Sequence, residues 1–313
     1  RPFMEWWSDF RTYKLSAPHA KARYGDLYSN SFLPGYLDTA YMPLKEFKNT
    51  IAAVDLYVLH DSYLAGKIRK ENFKNIRKLT LVDFRGGEMN ISLNTTQKNI
   101  LLVEFSERTA EWRLTDTNRI FSMIKFHRPP SYMSTDDATP FLNYLFNPNI
   151  NQNLEFALYD YEYFIPVKNL KAQINYSLFK RLPQDVSIST DEQYLLLSET
   201  VTPNTYASSF LSPNPSYHQY VLYCARRIAA HFKELGFDEI YFSVIPNPVS
   251  VVDEHRMTYN HKVEFLENYP PQDAEYISVY KLFKESKQRV FRTDDTHWNG
   301  KGLQIWVDEV NKR

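Results

Sequence analysis

Three scarcities limit what this 313-residue chain can be. It has one cysteine, Cys224, so no disulfide bond can form within one chain, and we interpret Cys224 as a buried thiol on a helix. It has no run of about 18 uninterrupted apolar residues, which argues against a membrane-spanning helix. Lys and Arg together number 37, as do Asp and Glu, without a long run of one sign. Nucleic acid is therefore not an expected partner.

Aromatic residues, in contrast, are abundant. They make up 16% of the chain, with 23 Tyr and 21 Phe, and hydrophobic residues as a class make up 43%. This is enough apolar surface to offset the conformational entropy lost on folding, so the chain is expected to be globular. It begins at Arg1 rather than Met, from which we expect a mature chain whose targeting segment has been removed.

The N-terminal half contains three short apolar runs bounded by turn residues, at 54–60, 78–84 and 99–105. Their length and composition predict buried strands. Between the first two runs, Leu64, Ile68 and Phe73 recur among basic residues, which predicts a surface helix linking parallel strands. The pattern indicates the start of a β-α-β fold.

The C-terminal third repeats this alternation of helix and strand. The spacing of Val221, Cys224, Ile228, Phe232 and Leu235 predicts a helix over 216–235 that ends at Gly236. A strand over 239–246, a short helix over 263–269 and a last helix over 302–310 follow. The predicted fold class is α/β: a three-layer α/β/α sandwich with a mostly parallel, flavodoxin-like sheet.

We expect one domain over residues 1–313, with a packed N-terminal extension over 1–50. From about 109 the chain is predicted to be irregular, and we interpret about 111–215 as a long aromatic-rich insertion, because proline and asparagine breakers recur there. Within it, residues 186–201 predict a hairpin with about seven residues in each arm that turns at Thr190-Asp191. This hairpin is expected to flank the active site.

Ser62 is the first candidate for a catalytic residue. The first predicted strand runs into His60-Asp61-Ser62 and then into the predicted helix, so the Ser62 side chain is expected at the carboxyl end of a strand. The free N–H groups at the start of that helix would stabilise an oxyanion. The structural alternative is that Asp61 or Ser62 caps the helix.

His297 is the second candidate for a catalytic residue. It follows Asp294 and Asp295 and precedes a helix that Asn299 is able to cap. A carboxylate on one imidazole nitrogen fixes the tautomer and directs the other nitrogen toward the hydroxyl group that it deprotonates. The structural alternative is that the two acids favour the helix N-terminus and that His297 is a surface residue.

Together the two segments resemble a known family. HDSY after a first strand and DDTHWNGKG before a last helix are similar to the Ser block and the Asp-His block of the SGNH hydrolases. DTHW and LLVEFSERTAEW resemble in particular the alginate O-acetyltransferases and related polysaccharide acetylation proteins. The likeness covers about residues 54–110 and 236–310. Here the Ser block comes first, as in ordinary SGNH esterases, whereas the acetyltransferases have the reverse order.

The resemblance implies Ser62 as nucleophile and His297 as general base. Asp295 is the acid of the D-x-H form, and Asp294 is the acid if the D-x-x-H spacing of ordinary SGNH esterases applies. It further implies an O-acetyl esterase or O-acetyltransferase that acts on a polysaccharide or other carbohydrate without a cofactor. The implied location is the cell envelope, the periplasm or the secreted fraction.

The chain departs from the family in two blocks. His60 replaces the glycine before Asp-Ser, where a side chain is expected to strain the turn or crowd the site. Ser106-Glu107-Arg108 stands where the family has an oxyanion-binding Asn. Gly86 and Gly87 either supply an oxyanion N–H together with that of Ser62 or form only a turn. Arg108 either binds an anionic substrate or pairs with Glu107. These departures leave a second hypothesis, a non-catalytic glycan-binding or assembly protein with the same scaffold.

The remaining candidates are weaker. No histidine or cysteine spacing is typical of a metal site, so none is predicted. Several tyrosines either stack on sugar rings or pack in the core. They are Tyr159, Tyr161, Tyr163 and Tyr206.

Overall fold

The computed structural model describes residues 25–38, 42–48, 53–86, 89–126 and 165–313. Its centre is a five-stranded sheet in which every neighbouring pair of strands is parallel. In spatial order the strands are β2 (Ile76–Asp83), β1 (Val54–His60), β4 (Lys98–Ser106), β8 (Glu239–Ile245) and β9 (Glu275–Tyr276). Two small sheets are separate: β3 (Met89–Ile91) pairs in parallel with β5 (Ile124–Phe126), and β6 (Val186–Ile188) pairs antiparallel with β7 (Leu195–Leu197).

Ten α-helices lie in the described part of the chain. They are α1 (Asp26–Ser31), α2 (Glu107–Thr115), α3 (Thr117–Met123), α4 (Ile165–Phe179), α5 (Ser198–Val201), α6 (Pro215–Glu234), α7 (Pro248–Val252), α8 (Lys262–Asn268), α9 (Tyr280–Lys284) and α10 (Gly300–Val310). Short 3-10 helices occur at Pro34–Tyr36, Lys70–Asn72 and Glu254–Arg256. Across these described ranges no helix is both long and apolar enough to cross a bilayer.

The predicted α/β sandwich with a mostly parallel sheet is confirmed, since helices flank this sheet. Its strand order is second, first, third, fourth, fifth along the chain, which is the flavodoxin-like order. The three apolar runs of the N-terminal half are strands, as predicted. Residues 56–59 of β1 are all buried, as expected for a central strand covered on both faces.

The order of the strands also locates a crevice. From β1 the chain moves to β2 on one side and then returns to β4 on the other side of β1. Open α/β sheets bind ligands outside the carboxyl ends of two such strands, because their outgoing connections diverge there. Ser62 follows β1 and Ser106 ends β4, so both lie at this point.

Two predicted C-terminal helices have clear sequence causes. The Asn214 side chain accepts the N–H groups of Ser216 and Tyr217 at the start of α6, and Gly236 follows its end with φ of +99°. Cys224 on α6 is buried and free, as predicted. Asn299 caps α10 by accepting from the N–H groups of residues 301 and 302. Trp306 of α10 donates to the Ser243 hydroxyl on β8 at 3.0 Å, so α10 covers one face of the sheet.

The prediction of an α-helix between the first two strands is wrong. Residues 62–67 form turns, and only the 3-10 helix Lys70–Asn72 follows. Gly66 has φ of +66°, which a right-handed helix does not allow. Leu64, Ile68 and Phe73 are nevertheless buried. Their spacing therefore indicated burial and did not indicate a helix. The helix N-terminus invoked to stabilise an oxyanion beside Ser62 is therefore not there.

The expectation of irregular chain from residue 109 is also wrong. Residues 107–126 form α2, α3 and β5, and Leu114, Ile120 and Met123 join the main core. The hairpin is confirmed, but its arms, β6 and β7, have three residues each instead of seven. Its wide turn is closed by Ser189, whose hydroxyl oxygen accepts the N–H groups of Gln193 and Tyr194 in place of further ladder bonds.

Candidate active site

Ser62, His297 and Asp295 form one hydrogen-bonded chain. The Ser62 Oγ lies 2.9 Å from Nε2 of His297, and Nδ1 of His297 lies 2.6 Å from Oδ1 of Asp295. Because a carboxylate oxygen only accepts, Nδ1 carries the proton and Nε2 is left to accept the Ser62 hydroxyl proton. The fold thus brings together residues that are 235 positions apart.

Tyr63 joins the serine turn to the histidine loop. Its hydroxyl donates to the Thr296 carbonyl at 2.6 Å, and its own carbonyl accepts the Trp298 indole N–H at 3.1 Å. The Tyr63 and Trp298 rings meet edge to face with centroids 5.3 Å apart. Since Tyr63 and Trp298 are almost fully buried, these contacts fix the position of Ser62 relative to His297.

A tight loop over 290–299 presents the base and its acid. Phe291 and Trp298 form an antiparallel bridge, and the Arg292 N–H donates to the His297 carbonyl at 3.2 Å. Within the loop, the Asp295 carboxylate also accepts the His297 backbone N–H at 3.1 Å. One carboxylate therefore holds both the backbone and the ring of the same histidine.

Asp294, the alternative acid, has a different position. It is fully buried, and its carboxylate takes two hydrogen bonds from Arg292, at 2.9 and 3.0 Å. It also accepts the backbone N–H groups of Gly25 and Asp38, each at 3.2 Å, while its carbonyl accepts that of Tyr28. Asp294 therefore anchors residues 25–38 and does not contact the imidazole. The D-x-x-H assignment is corrected in favour of D-x-H geometry.

This anchorage places Asp26 beside His297, although no sequence pattern predicts a role for Asp26. Its Oδ2 lies 3.7 Å from Nδ1 of His297 and accepts the Thr296 hydroxyl at 3.3 Å. Gly25 permits the approach, because a Cβ there would lie 2.1 Å from the Asp294 carbonyl oxygen. Asp26 lies 271 residues before His297 in a segment without a motif, so no local pattern could have revealed it.

The environment of His297 favours its protonated form. Burial by itself would lower the pKa of the imidazole, but the contacts with Asp26 and Asp295 outweigh burial and raise that pKa above its ordinary value. A base that acquires a proton from serine is stabilised by the same charges. The arrangement therefore suits an imidazole that is protonated during a reaction.

Two of the predicted oxyanion donors, the N–H groups of Ser62 and Gly86, are engaged in other hydrogen bonds. The Ser62 N–H donates to the Asp61 carboxylate at 2.8 Å, and the Gly86 N–H donates to the Asp83 carbonyl at 2.8 Å. Gly87 lies outside the described residues. The oxyanion role assigned to Ser62 and Gly86 is therefore not available in this conformation, and Gly86 serves its alternative role as part of a turn.

Ser106 and Glu107 are also engaged elsewhere. The Ser106 hydroxyl lies 3.2 Å from Oδ2 of Asp61, and the fully buried Glu107 carboxylate accepts the Asn247 N–H at 2.8 Å and the Ser250 hydroxyl at 2.6 Å. Burial raises the pKa of Glu107. The Glu107 side chain has 0% exposure in this structure, so the structure does not support the binding role predicted for it. The alternative ion pair between Glu107 and Arg108 does not form either.

Arg108 is the third residue of the segment Ser106-Glu107-Arg108. Its Nη1 is buried without a hydrogen-bond partner, and its guanidinium lies 5.7 Å from the centre of the Tyr63 ring. The His297 ring is 4.7 Å from the same Tyr63 ring. Arg108 and the imidazole therefore both contact Tyr63, the residue that follows Ser62.

A second buried carboxyl group lies beneath the serine turn. Glu104 accepts the Asp61 N–H through Oε2 at 2.9 Å, while its Oε1 has no partner. Burial raises the pKa of Glu104 to about 8. For Asp61, burial is outweighed by the Ser62 N–H, the Thr109 hydroxyl and nearby arginines, which lower its pKa. Asp61 therefore carries a negative charge beside Ser62.

His60 does not strain the turn as expected. It ends β1, its φ is not positive, and its Nδ1 lies 2.8 Å from the Asp61 carbonyl. The side chain is buried beside the turn. Replacement of glycine at this position is therefore tolerated by ordinary extended backbone.

Among the described residues, Asp26, Asp295 and His297 form a group able to hold a metal ion, with one ligand atom of each within 4.8 Å of the others. Asp295 and His297 are also part of the hydrogen-bonded chain with Ser62. Tyr206 is exposed beside Tyr217, with ring centroids 5.0 Å apart, whereas Tyr159, Tyr161 and Tyr163 lie outside the described residues.

No family model, curated protein or solved structure matches this chain. The resemblance to SGNH hydrolases therefore remains a prediction that rests on the two sequence blocks.

Proposed function

We propose that this protein catalyses serine-dependent ester chemistry, as an O-acetyl esterase or O-acetyltransferase on a polysaccharide or other carbohydrate. The observation that carries the proposal is the hydrogen-bonded chain from Ser62 through His297 to Asp295. Membership of the SGNH superfamily, the acetyl group, the carbohydrate and a location in the envelope or outside the cell are drawn from the motif resemblance.

In the first half of the reaction, Ser62 Oγ forms a bond to the ester carbonyl carbon while Nε2 of His297 takes the hydroxyl proton. Asp295 stabilises the resulting imidazolium. The tetrahedral intermediate then expels the alcohol, which receives that proton from His297, and an acyl-serine remains. In the second half, water or a sugar hydroxyl gives its proton to His297 and attacks the acyl-serine. Ser62 leaves and recovers the proton.

The oxyanion requires a donor other than the engaged N–H groups. Arg108 is assigned this role because its half-buried guanidinium lies beside Tyr63, the residue after Ser62, and its Nη1 has no hydrogen-bond partner. A positive donor also offsets the negative charge of Asp61 beside Ser62. Arg108 is therefore proposed to stabilise the tetrahedral intermediate.

The test is the reaction of Ser62 with an ester. The protein should be labelled by a fluorophosphonate at Ser62 and should hydrolyse an aryl acetate and an acetylated oligosaccharide. Ser62→Ala should lose labelling and reduce turnover by about 10⁴-fold or more, with an unchanged melting temperature. Ser177→Ala, at an exposed serine of α4, is the matched control and should behave as wild type. Wild-type protein that is neither labelled nor active would contradict the proposal.

A second candidate is a catalytically degenerate protein that binds glycans or assists assembly. The engaged N–H groups of Ser62 and Gly86 favour it, because loss of one oxyanion donor costs about 10²–10³-fold in turnover. Such a protein would bind an oligosaccharide equally well as wild type and as Ser62→Ala, without labelling of Ser62. Labelling of Ser62, or weaker oligosaccharide binding by Ser62→Ala than by wild type, would exclude this candidate.

A further inference from the structure

Helix α4 has one apolar side that packs on the protein. Ala172 and Tyr176 contact a small hydrophobic cluster that includes Leu27 of α1, Ile188 of β6 and Leu195 of β7. The Tyr28 hydroxyl of α1 donates to the Asn169 side chain at 2.9 Å. This inner side explains why α4 is held against the N-terminal segment and the hairpin.

A second apolar side faces outward. Its residues follow one another at helical spacings of three and four, and a turn of about 100° per residue places them opposite Ala172 and Tyr176. Each is exposed: Val167 by 63%, Leu170 by 58%, Ile174 by 44% and Leu178 by 71%. We call these four residues the outer stripe. All four side chains are aliphatic, so the stripe offers no side-chain hydrogen bonds to a partner.

The charged residues of the segment 165–184 have one sign. Residues 165–184 contain Lys168, Lys171, Lys180 and Arg181 but no Asp or Glu. Lys180 lies 4.6 Å from the ring centre of Tyr176 on the inner side, and Lys168 lies 4.6 Å from that of Phe32. Arg181 lies 5.4 Å from the ring centre of the exposed Phe179, and Lys171 is exposed between Leu170 and Ile174. Basic residues beside an exposed apolar stripe also occur in helices that lie in a membrane interface.

We propose that α4 docks this protein onto an anionic lipid bilayer, with the outer stripe among the lipid chains at the interface and Lys171 and Arg181 against the headgroups. The charge pattern favours lipid over a second copy of this chain. In a two-fold contact through the stripe, two all-basic helices would face each other without a carboxylate from either helix to offset the repulsion. Anionic headgroups remove that cost and accept hydrogen bonds from the ammonium and guanidinium groups.

Docking would also bring the candidate active site near the membrane. Tyr28, which bonds to α4, and Asp26, which lies beside His297, are both in helix α1. One helix therefore separates the outer stripe from the site. The inference does not depend on the proposed function, because lipid binding requires no turnover.

The experiment is co-sedimentation of the whole chain with vesicles. Wild type should bind vesicles of phosphatidylcholine with phosphatidylglycerol and bind pure phosphatidylcholine at least about tenfold more weakly. The triple variant Leu170→Ser, Ile174→Ser, Leu178→Ser should lose at least about tenfold in binding to the anionic vesicles. The matched control is Tyr220→Ser with Tyr223→Ser, which removes two similarly exposed side chains of α6 and should bind as wild type.

A second experiment labels one position of the outer stripe, so its result does not depend on the folding of the triple variant. An environment-sensitive dye on Ile174→Cys should shift to shorter wavelength with anionic vesicles, whereas the same dye on Tyr220→Cys should not. Cys224 is buried and does not compete for the dye. Absence of wild-type binding, equal binding by the triple variant, equal binding to neutral vesicles, or a dimer that the triple variant abolishes would each overturn the proposal.

Discussion

The two sides of Ser62 are built differently. On the imidazole side, the hydroxyl meets His297, and two carboxylates lie within 3.7 Å of the far nitrogen of that ring. On the opposite side, the Ser62 N–H is bound to the Asp61 carboxylate. Proton removal is thus prepared in advance, whereas stabilisation of a negative tetrahedral intermediate is not.

This difference separates two requirements of acyl transfer that are usually met together. A positioned base makes a serine nucleophilic, but the oxyanion needs its own donors. A carboxylate that holds the serine N–H competes with an oxyanion for that donor. Catalysis through this site therefore requires another donor, for which Arg108 is available, or release of the N–H from Asp61.

The largest effect is expected on the imidazole side, from Asp295→Asn. Loss of the carboxylate leaves Nδ1 opposite a group that does not fix the required tautomer, and kcat/KM should fall by about 10⁴-fold. Asp294→Asn is the control at the adjacent position. It should instead lower the melting temperature, because Asp294 anchors Gly25 and Asp38. Ester hydrolysis and thermal denaturation measure the two effects. Retention of full activity in Asp295→Asn would refute the assignment of the acid.

A smaller effect is expected on the opposite side, from Arg108→Gln. If Arg108 is the oxyanion donor, kcat should fall by about 10²–10³-fold with little change in KM, because the interaction forms only in the transition state. Arg119→Gln removes another arginine, which donates to the Gly86 carbonyl at 2.7 Å, and should leave kcat within a few-fold of wild type. Wild-type kcat in Arg108→Gln would show that the Ser62 N–H is released from Asp61 during turnover.

Asp26→Asn should change the pH dependence of kcat/KM more than it lowers the maximum value of kcat/KM. Asp26 contributes to the raised pKa of His297, so its neutralisation lowers that pKa. Because His297 acts as a base only when unprotonated, the acidic limb of kcat/KM should move to lower pH, by less than the shift in Asp295→Asn. NMR titration of the His297 ring, assigned with His297→Gln, measures the same shift without turnover. An unchanged pKa of His297 would remove Asp26 from the site.

The predictable part of the site followed from short-range patterns. A buried strand that ends two residues before Ser62 and a D-x-H sequence before a capped helix are both local patterns. Parallel strands bring such ends to one edge of the sheet. Asp26 was not predictable, because it reaches His297 only through the anchorage of its segment by Asp294. The helix expected after Ser62 was wrong because apolar spacing reports burial, and Gly66 stops the helix.

The last expected effect concerns stability rather than activity and lies at Glu104, beneath the serine turn. Burial raises its pKa from 4.5 to about 8, so between these values the native state holds a proton that the unfolded chain has released. Its contribution to stability is complete below the lower value and is lost as pH rises through the upper one, at up to about 1.4 kcal/mol per pH unit.

Glu104→Gln keeps an acceptor for the Asp61 N–H and removes this titration. The free energy of unfolding, measured by urea denaturation from pH 5 to pH 9, should therefore fall less steeply with pH than in wild type. Part of the slope should persist, because burial also raises the pKa of Glu107. Glu234→Gln, at an exposed position of α6, is the control and should keep the wild-type slope. If Glu104→Gln keeps that slope as well, Glu104 is ionised in the folded protein. The oxyanion side would then hold two negative charges, which would sharpen its contrast with the imidazole side.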